Sequence, residues 1–159
     1  MVRLQESIIC LSHLRWNFVY QRPQHLMSRC ARRNRVVFFE EPMFDSTEPE
    51  LELRRESGLT VAVPHLPPAT PPALAAAAQR SMIDRLLSEL DSPRPVLWYY
   101  TPMSLAFTSH VKARAVIYDC MDELSLFQGA PPGLAERETL LLSHADVVFT
   151  GGYLSLIHI

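Results

Sequence analysis

Glycine is scarce in this chain, with 5 glycines against 13 prolines in 159 residues. No Gly-x-Gly-x-x-Gly turn and no P-loop occurs, so the sequence offers no backbone cradle for a pyrophosphate. Cysteine is also rare: Cys10, Cys30 and Cys120 are odd in number and have no Cys-x-x-Cys spacing. That excludes a disulfide framework and a cysteine zinc site, and it fits a reducing cytosol. Each of the three lies in or beside an apolar run and reads as a small buried hydrophobe. No apolar stretch approaches the roughly 18 residues needed to cross a bilayer. The first apolar run, Ile8-Ile9-Cys10-Leu11, is shorter than a signal-peptide core. Positive charge is not in excess either: 15 basic and 17 acidic residues give a net charge of −2. Binding nucleic acid through overall charge is thereby excluded. Lys112 is the one lysine among the 15 basic residues, an arginine bias expected of a GC-rich bacterial genome.

What is present is ordinary globular material. Hydrophobic residues make up 48% and charged residues 20%, and the length suits one domain with a real core. Strand signals recur at Ile8–Leu11, Val36–Phe39, Leu51–Arg54, Leu59–Val63, Val96–Tyr100, Ala115–Tyr118 and Val147–Phe149. Glu56-Ser57-Gly58 reads as the turn of a hairpin. Helical signals lie between the strands. One runs from Pro23 to Arg33, with Asn34 as its stop; a second has Thr70 as cap and Pro71 at the first helical position. A short one covers Met103–Thr108, and the last opens at Gly133 with Glu136 near its positive end and His144 near its negative end. Strands alternating with helices predict an α/β fold: a Rossmann-like, doubly wound, mostly parallel sheet with helices on both faces. In such folds ligands sit at the carboxyl ends of strands, so the residues just after each strand carry the chemistry.

The first such loop contains His13, Arg15, Trp16, Tyr20, Gln21, Arg22 and His25. Aromatic side chains there can stack on a sugar ring or lipid-linked headgroup, and Arg15 and Arg22 can neutralise phosphate. The plainer role for Trp16, Phe18 and Tyr20 is filling the edge of the core, and His25 can simply face solvent. After the second strand, Glu41 can accept ligand hydroxyls, cap a helix or sit in a solvated turn. After Ala115–Tyr118 come Asp119, Asp122 and Glu123, the strongest catalytic candidates, because a carboxylate in a cleft can take a proton from an attacking hydroxyl. Asp122 can equally cap a short helix over 123–127. No second acidic or histidine cluster accompanies them, so a protein-bound metal is not expected. His65, His110 and His144 are isolated, and no nucleophile elbow or His-Glu-x-x-His occurs.

The last six residues, Leu154-Ser155-Leu156-Ile157-His158-Ile159, are the translation of CTGTCTCTTATACACATC, which resembles a transposase-end adapter of shotgun libraries. Residues 154–159 are therefore expected to be a scar, and 1–153 a domain whose native protein continues further.

Several segments together resemble bacterial glycosyltransferases of the GT-B fold, in the family 1/4-like group. They are Ile9–Trp16, Gln21–Leu26, Phe39-Glu40-Glu41-Pro42, Ile117–Glu123 and Ala145–Gly152, in register and in order. The resemblance implies two facing Rossmann-like domains, of which this chain is the N-terminal, acceptor-side half, truncated. It implies transfer from a nucleotide-sugar to a cell-surface glycan or glycolipid. The donor is a substrate bound mainly by the other domain, so no cofactor and no protein-bound metal are implied. His13, Arg15, Trp16, Gln21, Arg22, His25 and Glu41 would bind the acceptor, and Asp119 or Asp122 would polarise its hydroxyl. Many relatives carry a histidine where this chain has Asp119 and Asp122, which leaves the base and the stereochemical outcome open. The half-protein alone is expected to be inactive, cytoplasmic and in peripheral contact with the inner membrane face. Two other classes stay open: a non-catalytic α/β binding module fused to another carbohydrate enzyme, and a nicotinamide-dependent enzyme, which the glycine-poor first loop disfavours.

Overall fold

A computed structural model describes residues 6–121 and 128–151. Asp122, the 123–127 stretch and residues 154–159 lie outside the described residues. Seven strands form one sheet in the order β3-β4-β2-β1-β5-β6-β7. They are β1 (Ser7–Leu11), β2 (Arg35–Phe39), β3 (Glu50–Glu56), β4 (Leu59–His65), β5 (Val96–Tyr99), β6 (Ala115–Cys120) and β7 (Val147–Thr150). All pairings are parallel except β3 with β4. The helices are α1 (Arg22–Cys30), α2 (Pro72–Glu89), α3 (Leu105–Thr108) and α4 (Leu134–His144), with a 3-10 turn at Pro102–Ser104.

The central strands are buried on both faces, which is why they read as continuous apolar runs. One face carries Ile9, Leu11, Val37, Phe39, Leu97, Tyr99 and Tyr118 against α2, α3 and α4. The other carries Ile8, Cys10, Phe38, Val61, Trp98 and Tyr100 against Met27 of α1 and Trp16. Each fully buried large side chain here, such as Phe38 or Ile9, contributes roughly 1.5–3 kcal/mol over exposure. The edge strand β3 is solvated and charged, which protects an open edge from pairing with another chain. Ser57 and Gly58 both have positive φ (51° and 83°), the conformation that joins two antiparallel strands in two residues.

Two boundaries differ from the sequence reading. Thr70 does not cap α2. Its hydroxyl donates to Pro67 O at 2.6 Å, and Pro71 takes the cap position with Pro72 opening the helix. The helix over 23–33 stops at Cys30, where Asn34 donates through both its backbone N–H and its Nδ2 to Cys30 O. In both cases a polar side chain satisfies a carbonyl, a competition that local pattern does not resolve.

The hairpin is tied to the loop before it by His65, whose Nδ1 lies 2.7 Å from Asp45 Oδ1 and whose Nε2 lies 3.0 Å from Glu52 Oε2. Only an imidazolium can donate to both carboxylates. These bonds raise the pKa of His65 above its usual value near 6.5. A raised folded-state pKa means the stabilisation is complete below about 6.5 and is lost as pH rises through the folded value. Thermal melts should therefore show stability falling across that window in the native chain, and a flatter profile for His65→Ala.

Candidate functional site

The strand order fixes where a hollow can form. From β1 the chain builds outward through β2 and β4, then returns to build the opposite way through β5, β6 and β7. The loops after β1 and β5 therefore part company, and a crevice opens above the carboxyl ends of these two strands. A cavity of about 670 Å³ lies there, lined by Ser12, Glu40, Glu41, Thr101 and Arg137 among others. A second hollow of about 430 Å³ shares Glu41, Thr101 and Met103 with it and adds His13 and Gln21.

Local backbone bonds set the rim. Ser12 N–H donates to Phe39 O at 3.0 Å, and Ser12 Oγ accepts from Leu14 N–H at 2.9 Å. Tyr100 N–H donates to Leu11 O at 2.8 Å, and Thr101 Oγ1 caps the 3-10 turn by accepting from Met103 N–H. Glu40 is buried behind this rim. Its carboxylate accepts from Trp16 N–H at 2.8 Å and from Arg15 at 3.0 Å. Arg15 also donates to Glu41 O at 2.6 Å and to Pro42 O. Arg15 thus fastens the loop after β1 to the loop after β2 and leaves little of its guanidinium for a ligand. Glu41 is exposed at the rim; the protein that covers part of it raises its carboxyl above the usual range, against the pull of Arg15.

A separate polar centre lies under α1. Side chains alternate along β6, so Tyr118 points to the α2–α4 face and Asp119 to the α1 face. The Asp119 carboxylate is fully enclosed, and Arg22 of α1 pairs with it at 3.1 Å. Arg22 also reaches Thr150 O of β7, 3.4 Å away. Burial pushes the Asp119 carboxyl above its usual range, and Arg22, Tyr100 and Trp98 offset only part of that. Burial likewise raises the Tyr100 hydroxyl, with Cys10 and Asp119 adding to it. Trp98 in turn stacks on Phe149 of β7, with centroids 5.7 Å apart.

No family model matches the chain, and no curated protein matches it either. Solved structures do. A structure described as trehalose-6-phosphate from E. coli, bound with UDP-2-fluoro glucose, superposes with a TM-score of 0.55 at 10% identity, over 96% of this chain and 41% of that one. The α,α-trehalose-phosphate synthase (UDP-forming) of Burkholderia xenovorans, in complex with glucose-6-phosphate, gives 0.55 at 14% identity, with the same coverage. The synthase from Burkholderia multivorans gives 0.51 at 14% identity, over 91% of this chain and 39% of that one. The chain shares the fold of one part of these proteins. It spans about two-fifths of the length of these structures. At such identities the likeness concerns the fold, and the expected Rossmann-like, mostly parallel sheet is what is observed.

Within that fold the residues singled out from sequence fall into groups. His13, Gln21 and Glu41 line the crevice together. Arg15 and Trp16 belong to its frame: Trp16 is buried edge-on against Phe38, with centroids 5.0 Å apart, in the core role also open to it. Phe18 and Tyr20 are exposed and do not fill the core edge. His25 is exposed on α1, edge-on to Tyr20 and away from the crevice. Arg22 and Asp119 are joined to each other, but Asp119 is enclosed and does not reach the crevice surface. The site residues singled out from sequence do not include Ser12, Glu40, Thr101 or Arg137; Ser12 and Glu40 lie in the segments that carry the resemblance, and Thr101-Pro102 reads as a helix start, which Thr101 does cap. Ser12 and Glu40 directly follow β1 and β2, and Thr101 comes two residues after the end of β5, so the strand-end rule that singled out Glu41 covers them too. Arg137 sits on α4, far along the chain, and nothing local marks it. Among the described residues no group of three or more His, Cys, Asp or Glu could hold a metal ion.

Proposed function

We propose that this chain is the acceptor-side unit of a glycosyltransferase that moves a sugar from a nucleotide-sugar to a cell-surface glycan or glycolipid. The observation that carries this reading is the crevice at the β1/β5 divide, which brings Glu41, Ser12 and Arg137 into one lining, on a fold shared with solved structures bound to UDP-2-fluoro glucose and glucose-6-phosphate. Sugar hydroxyls would meet Glu41, Ser12, His13, Gln21 and Thr101. The nucleotide-sugar is a substrate in this reading, held by polypeptide outside the chain, and no resident cofactor is needed. The reaction is attack of an acceptor hydroxyl oxygen on the anomeric carbon. The bond from that carbon to the nucleotide phosphate breaks, and the nucleotide leaves with the electron pair. The hydroxyl proton passes to a carboxylate.

Asp119 is enclosed and held by Arg22, so its part is to position the start of α1 and the loop before it. The base is then Glu41, at the crevice wall, or Asp122. In the complete enzyme Asp119→Asn should keep most turnover, whereas Glu41→Gln or Asp122→Asn should lose about a hundredfold, the scale of general-base catalysis. Binding tests the reading on the present chain. Titration with a sugar phosphate should shift the amide resonances of Ser12, Glu41 and Thr101. Shifts produced by NAD instead, or no shift with any sugar ligand, would overturn it.

A further inference from the structure

The net charge of −2 conceals a strong segregation. From Ser7 to Phe39 the chain has no acidic residue, yet it carries Arg15, Arg22, Arg29, Arg32, Arg33 and Arg35. Arg15 and Arg22 are committed to Glu40 and Asp119. Arg29, Arg32 and Arg33 are exposed and have no carboxylate partner among the described residues. They lie on the outer side of α1 and the turn that follows it, while Met27 faces the sheet. Arg29 donates once, to His25 O. Three acidic groups of the flanking segments have partners. Glu6 pairs with Arg114 at the foot of β1, and Glu52 and Glu56 lie beside Arg54 in the hairpin.

At the other end of this cationic strip the loop before α1 pushes three consecutive apolar residues into solvent. Phe18 is 78% exposed, Val19 49% and Tyr20 60%. Tyr20 folds back over α1, edge-on to His25 and beside Ser28, so the apolar tip and the helix form one surface. An aromatic tip next to unpaired arginines is the chemistry of a bilayer interface: rings settle at headgroup level and guanidiniums meet lipid phosphates.

We propose that the outer face of α1, with Phe18, Val19 and Tyr20, docks this protein on an anionic lipid surface. The inference stands on charge and exposure and does not depend on the transferase reading. If both hold, docking sets the strand-end crevice beside the bilayer, since the loop after β1 belongs to both.

Co-sedimentation of the full chain with vesicles tests this. Phosphatidylcholine mixed with phosphatidylglycerol should bind it, phosphatidylcholine alone should not, and added salt should weaken binding. The triple variant Arg29→Glu, Arg32→Glu, Arg33→Glu should lower partitioning about tenfold or more. Phe18→Ser with Val19→Ser should lower it separately. All five positions are exposed, and circular dichroism confirms the fold of each variant. Equal binding to both kinds of vesicle, or no binding to either, would overturn the proposal. So would tight binding to soluble heparin that the Phe18 and Val19 changes leave untouched alongside equally unaffected vesicle binding, which would mark a site for soluble polyanions.

Discussion

Glu40→Ala is expected to destabilise the fold by about 3 kcal/mol. The side chain is buried at the end of β2, and its two oxygens hold the loop after β1 from both sides, one through Trp16 N–H and the other through Arg15. Alanine leaves the Trp16 N–H buried without its acceptor, and a hydrogen bond to a charged acceptor contributes about 1.5–3 kcal/mol. It also frees Arg15, whose remaining bonds to Glu41 O and Pro42 O then have to hold two loops together alone. Glu40→Gln keeps an acceptor for Trp16 and should lose about half as much. Urea denaturation measures the cost, and amide exchange at Trp16 locates it. A change within about 0.5 kcal/mol for Glu40→Ala, the range of ordinary surface substitutions, would show that the loop is held by other means. Because Glu40 and Glu41 share the crevice wall, the same variant should also weaken any sugar ligand.

Arg22→Ala is expected to cost about 2 kcal/mol at neutral pH. Removing one partner of a wholly enclosed pair costs more, but Arg22 is itself 33% exposed, and water already screens part of the interaction. The cost should depend on pH. The folded-state pKa of Asp119 lies above the unfolded value near 3.8, so its carboxylate opposes folding increasingly as pH rises through that interval and fully above it. Without Arg22 the folded value rises further, and the penalty extends to higher pH. Arg22→Ala should therefore be closest to native stability near about pH 4 and furthest from it near about pH 8. Asp119→Asn removes the buried charge and should stay within about 1 kcal/mol of native with a flatter profile. Combined with Arg22→Ala, it should restore most of the loss. A pH-independent deficit in Arg22→Ala would mean that Arg22 matters through its bond to Thr150 O and its packing, and not through Asp119.

Much of this architecture was legible without coordinates because its signals are local. Val-Val-Phe-Phe at 36–39 can hardly be anything but a buried strand. Ser57-Gly58 between two alternating segments closes a hairpin, and proline at the start of α1 and α2 marks where each helix begins. From the alternation of strands and helices the parallel sheet follows, and from the sheet follows the rim where Glu41, His13 and Gln21 were sought and meet. The facing of side chains was not legible. A strand apolar on both sides has no polar–apolar alternation to read, so nothing in Ile117–Cys120 says whether Asp119 looks toward the crevice or under α1. The parity of β6 against β5 settled that, turning Asp119 inward to Arg22. Arg137 entered the crevice wall for a similar reason. Which residues distant in sequence share a cavity depends on where the helices pack over the sheet, and packing is a property of the whole chain, whereas period, turn chemistry and charge belong to each segment on its own.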